Sequence, residues 1–449
     1  MMRYIDTVRQ RMRALHRTGA VVALCAATLT LHAQLDEAWI VGYSGWINTN
    51  TNRDIYMTVD SDGNVYVTGT FYNPRRYGNT FLDYSALVTL KYDANGFLRF
   101  AQTYMLYLGY ARDIAVDSSG NVYVLAGDTY NYYTHVIKYD ANGGRRWVRT
   151  ITLYSTPVAL EVDSAGNVYV LTSGNLRKYN TNGGLLWSIT VGASPVDLAL
   201  DSAGNVIVTG TVTVKYTANG NLLWSRPYNG TAADLTVDSA GNIIVTGTSN
   251  SDYLTVKYNA DGDLLWQRRL NYGADRATAV TVDRNGDVYV TGQSNGLFAT
   301  VRYRSSDGFQ RWVRVANGGL SQCRPVAIAV DNDGNVYVAG TGTVSGNDTS
   351  YLTVKYDANG NNEVVQLYDS TVGEERLTAG VLDRAMNFIV TGFSSVYDPI
   401  EGNIYSAEIV TIKYATGAPI SNEGDVNGDG CVDDTDLLIV LFNFGRGCN

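Results

Sequence analysis

The chain has 449 residues, a formal charge of −9, 46 Gly and 33 Tyr against 7 Pro, and 45% hydrophobic residues. That length admits two or three ordinary domains or one repeat array, and the Gly/Tyr bias suits many short strands joined by tight turns. The acidic balance excludes nucleic acid as a partner, because phosphate binding needs a basic footprint.

Residues 1–33 read as a secretory signal. Arg3, Arg9, Arg11, Arg13 and Arg17 precede the apolar run Gly19 to Leu31, and Leu31-His32-Ala33 is a cleavage site before Gln34. The run is too short to span a bilayer comfortably, so no transmembrane anchor is expected and the product is secreted or held at the cell surface. Cleavage near Ala33 removes five arginines and one aspartate, taking the charge from −9 to −13. It also leaves His135 as the single histidine, too few for a multi-His metal site. His135 occupies a repeat position where other units carry Leu or Tyr, and is read as packing.

From residue 34 a phrase recurs eight times. It begins at Asp60, Asp117, Asp163, Asp201, Asp238, Asp283, Asp331 and, degraded, Asp383, as in DSDGNVYVTG. Each unit carries an alternating run ending in the Asp, the NVYVTG run and a Lys/Arg-Tyr run such as TVKYDANG; six add an aromatic segment marked by Phe100, Trp147, Trp187, Trp224, Trp266 or Trp312, and a seventh has Asn362 to Tyr368 in its place. Short Val/Ile/Tyr/Thr-rich runs bounded by D-x-x-G-N and D-A-N-G turns are strands of antiparallel meanders. Tandem units that cannot bury their own faces must stack on one another. Four strands per unit predict an all-β, eight-bladed β-propeller over 34–415. The bookkeeping leaves the eighth unit without a fourth strand, while Ala38-Trp39 begins a fourth strand without a unit. The N-terminal strand therefore closes the last blade. A ring of seven, or a split one, is the alternative if Met386-Asn387 spoils the eighth.

Residues 416–424 form a linker, and 425–449 a separate element. Asp425, Asn427, Asp429, Cys431 (through its carbonyl), Asp433 and Asp436 have the spacing that wraps a chain around Ca²⁺, with Gly430 at the sharp turn. The apolar stretch Leu437 to Phe444 reads as a following helix, and Cys431 and Cys448 are the natural disulfide pair once the chain is exported. Cys323 is left over.

The pattern D-x-x-G-N-V-Y-V-T-G…V-K-Y-D-x-x-G-x-x-x-W resembles the secreted bacterial beta-propeller repeat (SBBP) family over roughly 38–415. The resemblance implies an extracellular module and little about chemistry. GDVNGDGCVDDTDLLIVLFNF resembles half of a dockerin, the calcium-binding module that docks onto cohesin. A cohesin-like or cell-surface partner is what that resemblance implies, although the usual second loop is absent.

Two catalytic readings arise. D-A-N-G-x-x-x-W resembles the tryptophan-docking segments of quinoprotein dehydrogenases, but their adjacent cysteine pair is missing. Asp113, Glu161, Asp197 and Asp234 fall at or near one position of the first, channel-lining strand, where a glycoside hydrolase would place paired carboxylates. The binding reading draws on the long loops of blades seven, eight, one and two. They carry Tyr72, Tyr77, Tyr84, Tyr104, Tyr107, Tyr110, Tyr130, Tyr132 and Tyr133. Arg53, Arg112, Arg276, Arg324 and Arg376 start first strands near the channel mouth. Tyrosines there suit stacking on a glycan or contact with a protein. The expectation is a non-enzymatic binding or scaffold protein. A component of polysaccharide degradation is the alternative, and a quinoprotein the remote one.

Overall fold

The computed structural model describes residues 35–45, 55–72, 75–77, 80–82, 84–130, 132–152, 155–192, 194–346, 348–361, 364–370, 373–397 and 404–415. The signal segment, Arg53, the linker and the calcium loop lie outside them.

Among the described residues the strands sort into eight antiparallel sets of four, plus a small hairpin, Arg75–Tyr77 with Thr80–Leu82. In chain order the sets span 56–107, 109–151, 157–190, 197–227, 231–270, 275–316, 321–368 and 373–415, called blades 1 to 8 below. Blade 8 takes its fourth strand from the other end of the chain. Asp36–Gly45 lies antiparallel to Ile404–Ala415, with Asp36 opposite Ala415 and Gly45 opposite Ala407. Blades 7 and 8 also share one parallel bridge, between Thr349 and Glu374.

The buried apolar residues form eight clusters, and each spans one seam between consecutive blades. That of blades 4 and 5 holds Ile207, Trp224, Leu235, Val245 and Val256. That of blades 8 and 1 holds Ile389, Phe393, Ile409, Val65, Val67 and Leu90. Eight seams for eight sets close the ring and bury the second and third strands of each sheet on both faces, while the outer, fourth strands stay largely exposed. The chain's runs Val122–Asp128 and Val168–Thr172 are accordingly buried at every position, without the alternation of a half-exposed sheet.

The repeated letters map onto two devices. In the first turn of blade 1, Asp60 Oδ1 accepts from the Asp62 and Asn64 amides at 3.0 and 2.9 Å. Its Oδ2 accepts from Asn64 Nδ2 and the Tyr66 hydroxyl, both at 2.8 Å. Gly63 takes φ 77° there. The degraded unit keeps the turn: Met386 occupies the glycine position at φ 65°, and its amide still bonds the Asp383 carbonyl at 2.9 Å. Blade 8 therefore forms, and the seven-bladed alternative falls away.

The second device joins blades. Trp224 Nε1 and Lys215 Nζ both donate to the Ala260 carbonyl of the next blade, at 3.0 and 3.1 Å. The indole lies against Gly262, where a Cβ would come within 2.7 Å of the ring. Two residues on, Arg226 Nε donates to the Gly262 carbonyl at 2.7 Å. Trp39 does the same for ring closure: it and Lys413 donate to Ala94 of blade 1 at 3.0 and 3.1 Å. Blade 7 alone lacks the aromatic, and the chain after blade 8's Tyr414 (ATGAP) has no D-A-N-G turn for one to dock on.

Trp39→Ala is expected to lower unfolding stability by about 2 kcal/mol in a urea titration, less than a fully buried Trp would cost, because the ring is half-buried. Met386→Gly is expected to raise stability by up to about 1 kcal/mol, by relieving a left-handed non-glycine residue. Differential scanning calorimetry reads both.

Candidate functional site

Each blade is a meander, so its connections divide between two faces. The D-x-x-G-N and D-A-N-G turns share one face. The second-to-third-strand loops and the links between blades share the other, called the loop face. The turn face repeats from blade to blade; the loop face does not.

At the blade 1–2 rim, Tyr107 and Tyr130 meet edge to face with ring centroids 4.7 Å apart. Tyr130 is 65% exposed and Tyr132 55%. Tyr110 lies over Gly127, where a Cβ would sit 2.3 Å from its ring, and burial raises the pKa of its phenol. Arg112 Nη1 donates to the Tyr56 hydroxyl at 3.1 Å. Tyr104 and Tyr133 do not join this group: their rings pack on His135 at 6.1 and 6.5 Å. His135 is buried, bonded to Thr150 at 3.2 Å, and burial holds its pKa below the usual imidazole range. It is a packing residue, as expected. Tyr72, Tyr77 and Tyr84 lie on the strands that form and flank the 75–82 hairpin.

At the blade 7–8 rim a cavity of about 420 Å³ is lined by Gln322, Arg324, Thr341, Thr343, Glu374 and Arg376, among others. Cys323 beside it is fully buried, and burial pushes its thiol up to about 11, which makes it unreactive near neutral pH.

The channel acids have a different character. The first strand of blade 2 carries a bulge at Ala111/Asp113, and that of blade 5 one at Ala232/Asp234. Asp113, Asp197 and Asp234 each sit four residues before a turn aspartate. Each spans a seam. Asp113 Oδ1 accepts from the Ile114 amide at 2.8 Å, and Oδ2 from Leu160 of blade 3 at 2.7 Å. Asp197 accepts from Leu198 and from Leu235 of blade 5, at 2.8 and 3.0 Å. Asp234 accepts from Leu235 and from Val280 of blade 6, at 2.9 and 2.7 Å. The carboxylates are clips that satisfy amides along the channel wall. Glu161, two residues from its turn, lines a cavity of about 430 Å³ with Asp197 and Asp234.

Burial pushes Asp113 up to about 7 against the pull of its two amide donors. Burial, then the Asp113 and Asp197 charges, push Glu161 up to about 8. Burial raises Asp197 and Asp234 as well, and the Asp197 charge adds to the rise of Asp234. The turn carboxylates go the other way. Burial alone would raise Asp201 and Asp238, but donors from Asn205 and Lys215, and from Asn242 and Lys257, hold them low.

Sequence reasoning placed the four acids correctly on the first strand but saw neither their seam-spanning bonds nor the W-x-R arginines. Trp147/Arg149, Trp224/Arg226, Trp266/Arg268 and Trp312/Arg314 show that the second signal was present.

An acid whose pKa is higher folded than unfolded holds its proton more tightly in the folded chain. Its ionisation therefore costs stability as pH rises from the unfolded toward the folded value. For Glu161 that window runs from 4.5 to about 8. Glu161→Gln is expected to raise the melting temperature at pH 8 and to change it little at pH 4.5. Asp234→Asn is expected to lower it at both, with a loss of about 1–2 kcal/mol in unfolding free energy, since an amide cannot accept both N–H groups. Thermal melts across pH 4–8 check this.

The repeat model described as SBBP, beta-propeller repeat, matches residues 269–299 and 312–347, within blades 5 to 7. No curated protein matches the chain in sequence. The crystal structure of the C-terminal WD40 domain of Sif2 is similar at 9% identity and TM-score 0.55, covering 86% of this chain and 99% of that one. The Dos1 propeller is similar at 12% identity and TM-score 0.53, covering 82% and 95%. BamB from Moraxella catarrhalis aligns at 15% identity and TM-score 0.47, covering 80% and 100%. The likeness to the Sif2 and Dos1 propellers bears on fold alone, and with the repeat match and the strand pairing it makes this chain a β-propeller repeat protein.

Proposed function

We propose that this protein is a secreted, non-enzymatic binding module whose loop face takes a glycan or a protein surface, with the 425–436 calcium loop as an attachment element. The observation that carries the reading is the Tyr107–Tyr130 pair, in which Tyr130 is exposed and Tyr107 half-buried, on the arc where the repeat is broken by long loops. Two edge-to-face rings offer the flat, amphipathic surface on which sugars stack and partners dock. Blades 7, 8, 1 and 2 carry the long loops and are contiguous in the closed ring, so they form one arc. No helix among the described residues is long and apolar enough to cross a membrane.

Strand direction adds support. Ile404–Ala415 runs from the loop face to the turn face, so the chain leaves blade 8 on the side opposite the tyrosine rim. Attachment through residues beyond 415 would leave the loop face open. In Asp197 and Asp234 both oxygens accept backbone amides across the seams, which supports a structural role for these carboxylates.

A glycan array probed with the full-length chain and with Tyr107→Ala/Tyr130→Ala tests the reading. Retention of a glycan class that weakens at least tenfold in the variant is the expected result. Equal retention by both, or release of reducing ends that Asp197→Asn abolishes, sinks it. Calorimetric titration with Ca²⁺ before and after Asp425→Asn/Asp429→Asn tests the tail: loss of one equivalent is expected.

A further inference from the structure

Glu375 is one of two buried acids among the described residues, with Asp275, that leave a carboxylate oxygen without a hydrogen-bond partner. It is wholly buried, at 0% exposure. Its Oε1 accepts from the Ser370 and Ser394 hydroxyls. Its Oε2 is equally buried and has no hydrogen-bond partner. Several buried turn aspartates have a cation: Asp238 has Lys257 at 2.9 Å, Asp201 has Lys215 at 3.0 Å, and Asp383 has Lys413 at 2.8 Å. Glu375 has no salt bridge among the described residues, and Asp369 and Asp348 add negative charge beside it, although Arg324 and Arg376 line the same cavity. Burial, with Asp369 and Asp348 nearby, pushes its carboxyl up to about 7. A buried carboxylate with half its acceptor capacity unspent and like charges beside it is costly unless something positive joins it.

The positions of those neighbours say what that is. Asp348, Asp369 and Glu375 each bring one oxygen to within 4.8 Å of the other two. Oxygens around a Ca²⁺ ion lie at about 2.3–2.6 Å from it, so a pair on opposite sides is separated by about 4.6–5.2 Å and adjacent ones by less. The three oxygens therefore fit inside one coordination sphere. The backbone that holds them is tied down. Asp348 opens the third strand of blade 7, Asp369 follows its fourth, and Glu375 lies in the first strand of blade 8. Thr349 Oγ1 donates to the Glu375 carbonyl at 2.8 Å and accepts from the Glu375 amide at 3.0 Å, next to the single bridge between the two blades.

We propose that Asp348, Asp369 and Glu375 form a divalent-cation site, for Ca²⁺ by its all-oxygen donor set, that bridges blades 7 and 8 at the loop face. Asp369 is exposed, so water completes the sphere from that side. The ion spends the free Glu375 oxygen and clamps the seam where blade 7 has no docking aromatic. It also adds positive charge beside the 420 Å³ cavity that Glu375, Arg324 and Arg376 line. This site is independent of the 425–436 loop and of the tyrosine rim.

The test uses the full-length chain with the tail silenced by Asp425→Asn/Asp429→Asn, so that tail binding cannot be counted. Ca²⁺ is titrated by calorimetry, and Tb³⁺ by luminescence sensitised through Tyr351 and Tyr368, whose rings lie 5.3 Å apart beside the site. One equivalent is expected, weakened at least tenfold by Asp369→Asn and abolished by Glu375→Gln. Ca²⁺ should raise the melting temperature of the tail-silenced chain and leave that of Glu375→Gln unchanged. Without Ca²⁺, Glu375→Gln should melt no lower than its parent, which shows that it folds. Should it fail to fold, the exposed Asp369→Asn change still gives the reading. Absence of binding in the tail-silenced chain, binding unaltered by both substitutions, or uptake of Mg²⁺ but not Ca²⁺ overturns the proposal.

Discussion

The structure depends on one recurring contact: an aromatic ring laid on the glycine of the next blade's D-A-N-G turn, with Trp and Lys nitrogens converging on one carbonyl of that turn. Each such bond contributes about 1 kcal/mol net. Its larger effect is positional, because it sets how far each sheet is rotated from the last. A four-stranded sheet with two apolar faces has no stable existence alone; only a full circle of such contacts covers its second and third strands on both faces. The glycine is required twice, for its left-handed φ (83° at Gly262) and for the space in which the ring lies.

Carboxylates serve this ring in three ways, and the differences explain their opposite titration. A turn aspartate faces several donors and often a lysine, so ionisation is favoured in the fold. A channel aspartate accepts two amides but faces other acids across a narrow space, so ionisation is opposed. Glu375 has two hydroxyl donors on one oxygen and nothing on the other. The same side-chain chemistry thus runs from turn-former to seam clip to unfilled ligand, according to how many donors the backbone brings within reach.

The ring and its closure were legible because they rest on local repetition. Asp-Gly turns, Lys-Tyr runs and docking aromatics recur at fixed offsets, and the count of fourth strands pointed to Trp39. What was not legible depends on distance in sequence. Asp113 meets Leu160, and Asp234 meets Val280, through bulges that no local pattern marks. Asp348, Asp369 and Glu375 come from three segments around loops of irregular length, where the repeat offers no register to compare. The tyrosines fall between these cases. Composition placed them near the rim, but only the fold separates Tyr107 and Tyr130, which face outward, from Tyr104 and Tyr133, which wrap His135. The calcium loop at 425–436 lies outside the described residues and stands on its spacing alone.

Closure by Asp36–Gly45 has a temporal consequence. The first strand to be made is the last to be satisfied, since its partner Ile404–Ala415 follows hundreds of residues later. Until the two pair, the array presents an unpaired strand edge at blade 8 and a loose complementary segment at its start. Chain-closure entropy makes that pairing slow relative to the hairpins within each blade. At high concentration the loose segment of one molecule can reach the open edge of another before its own. Reciprocal exchange of this strand would give dimers that keep every blade intact, so crowding during folding would govern assembly state without altering any native contact.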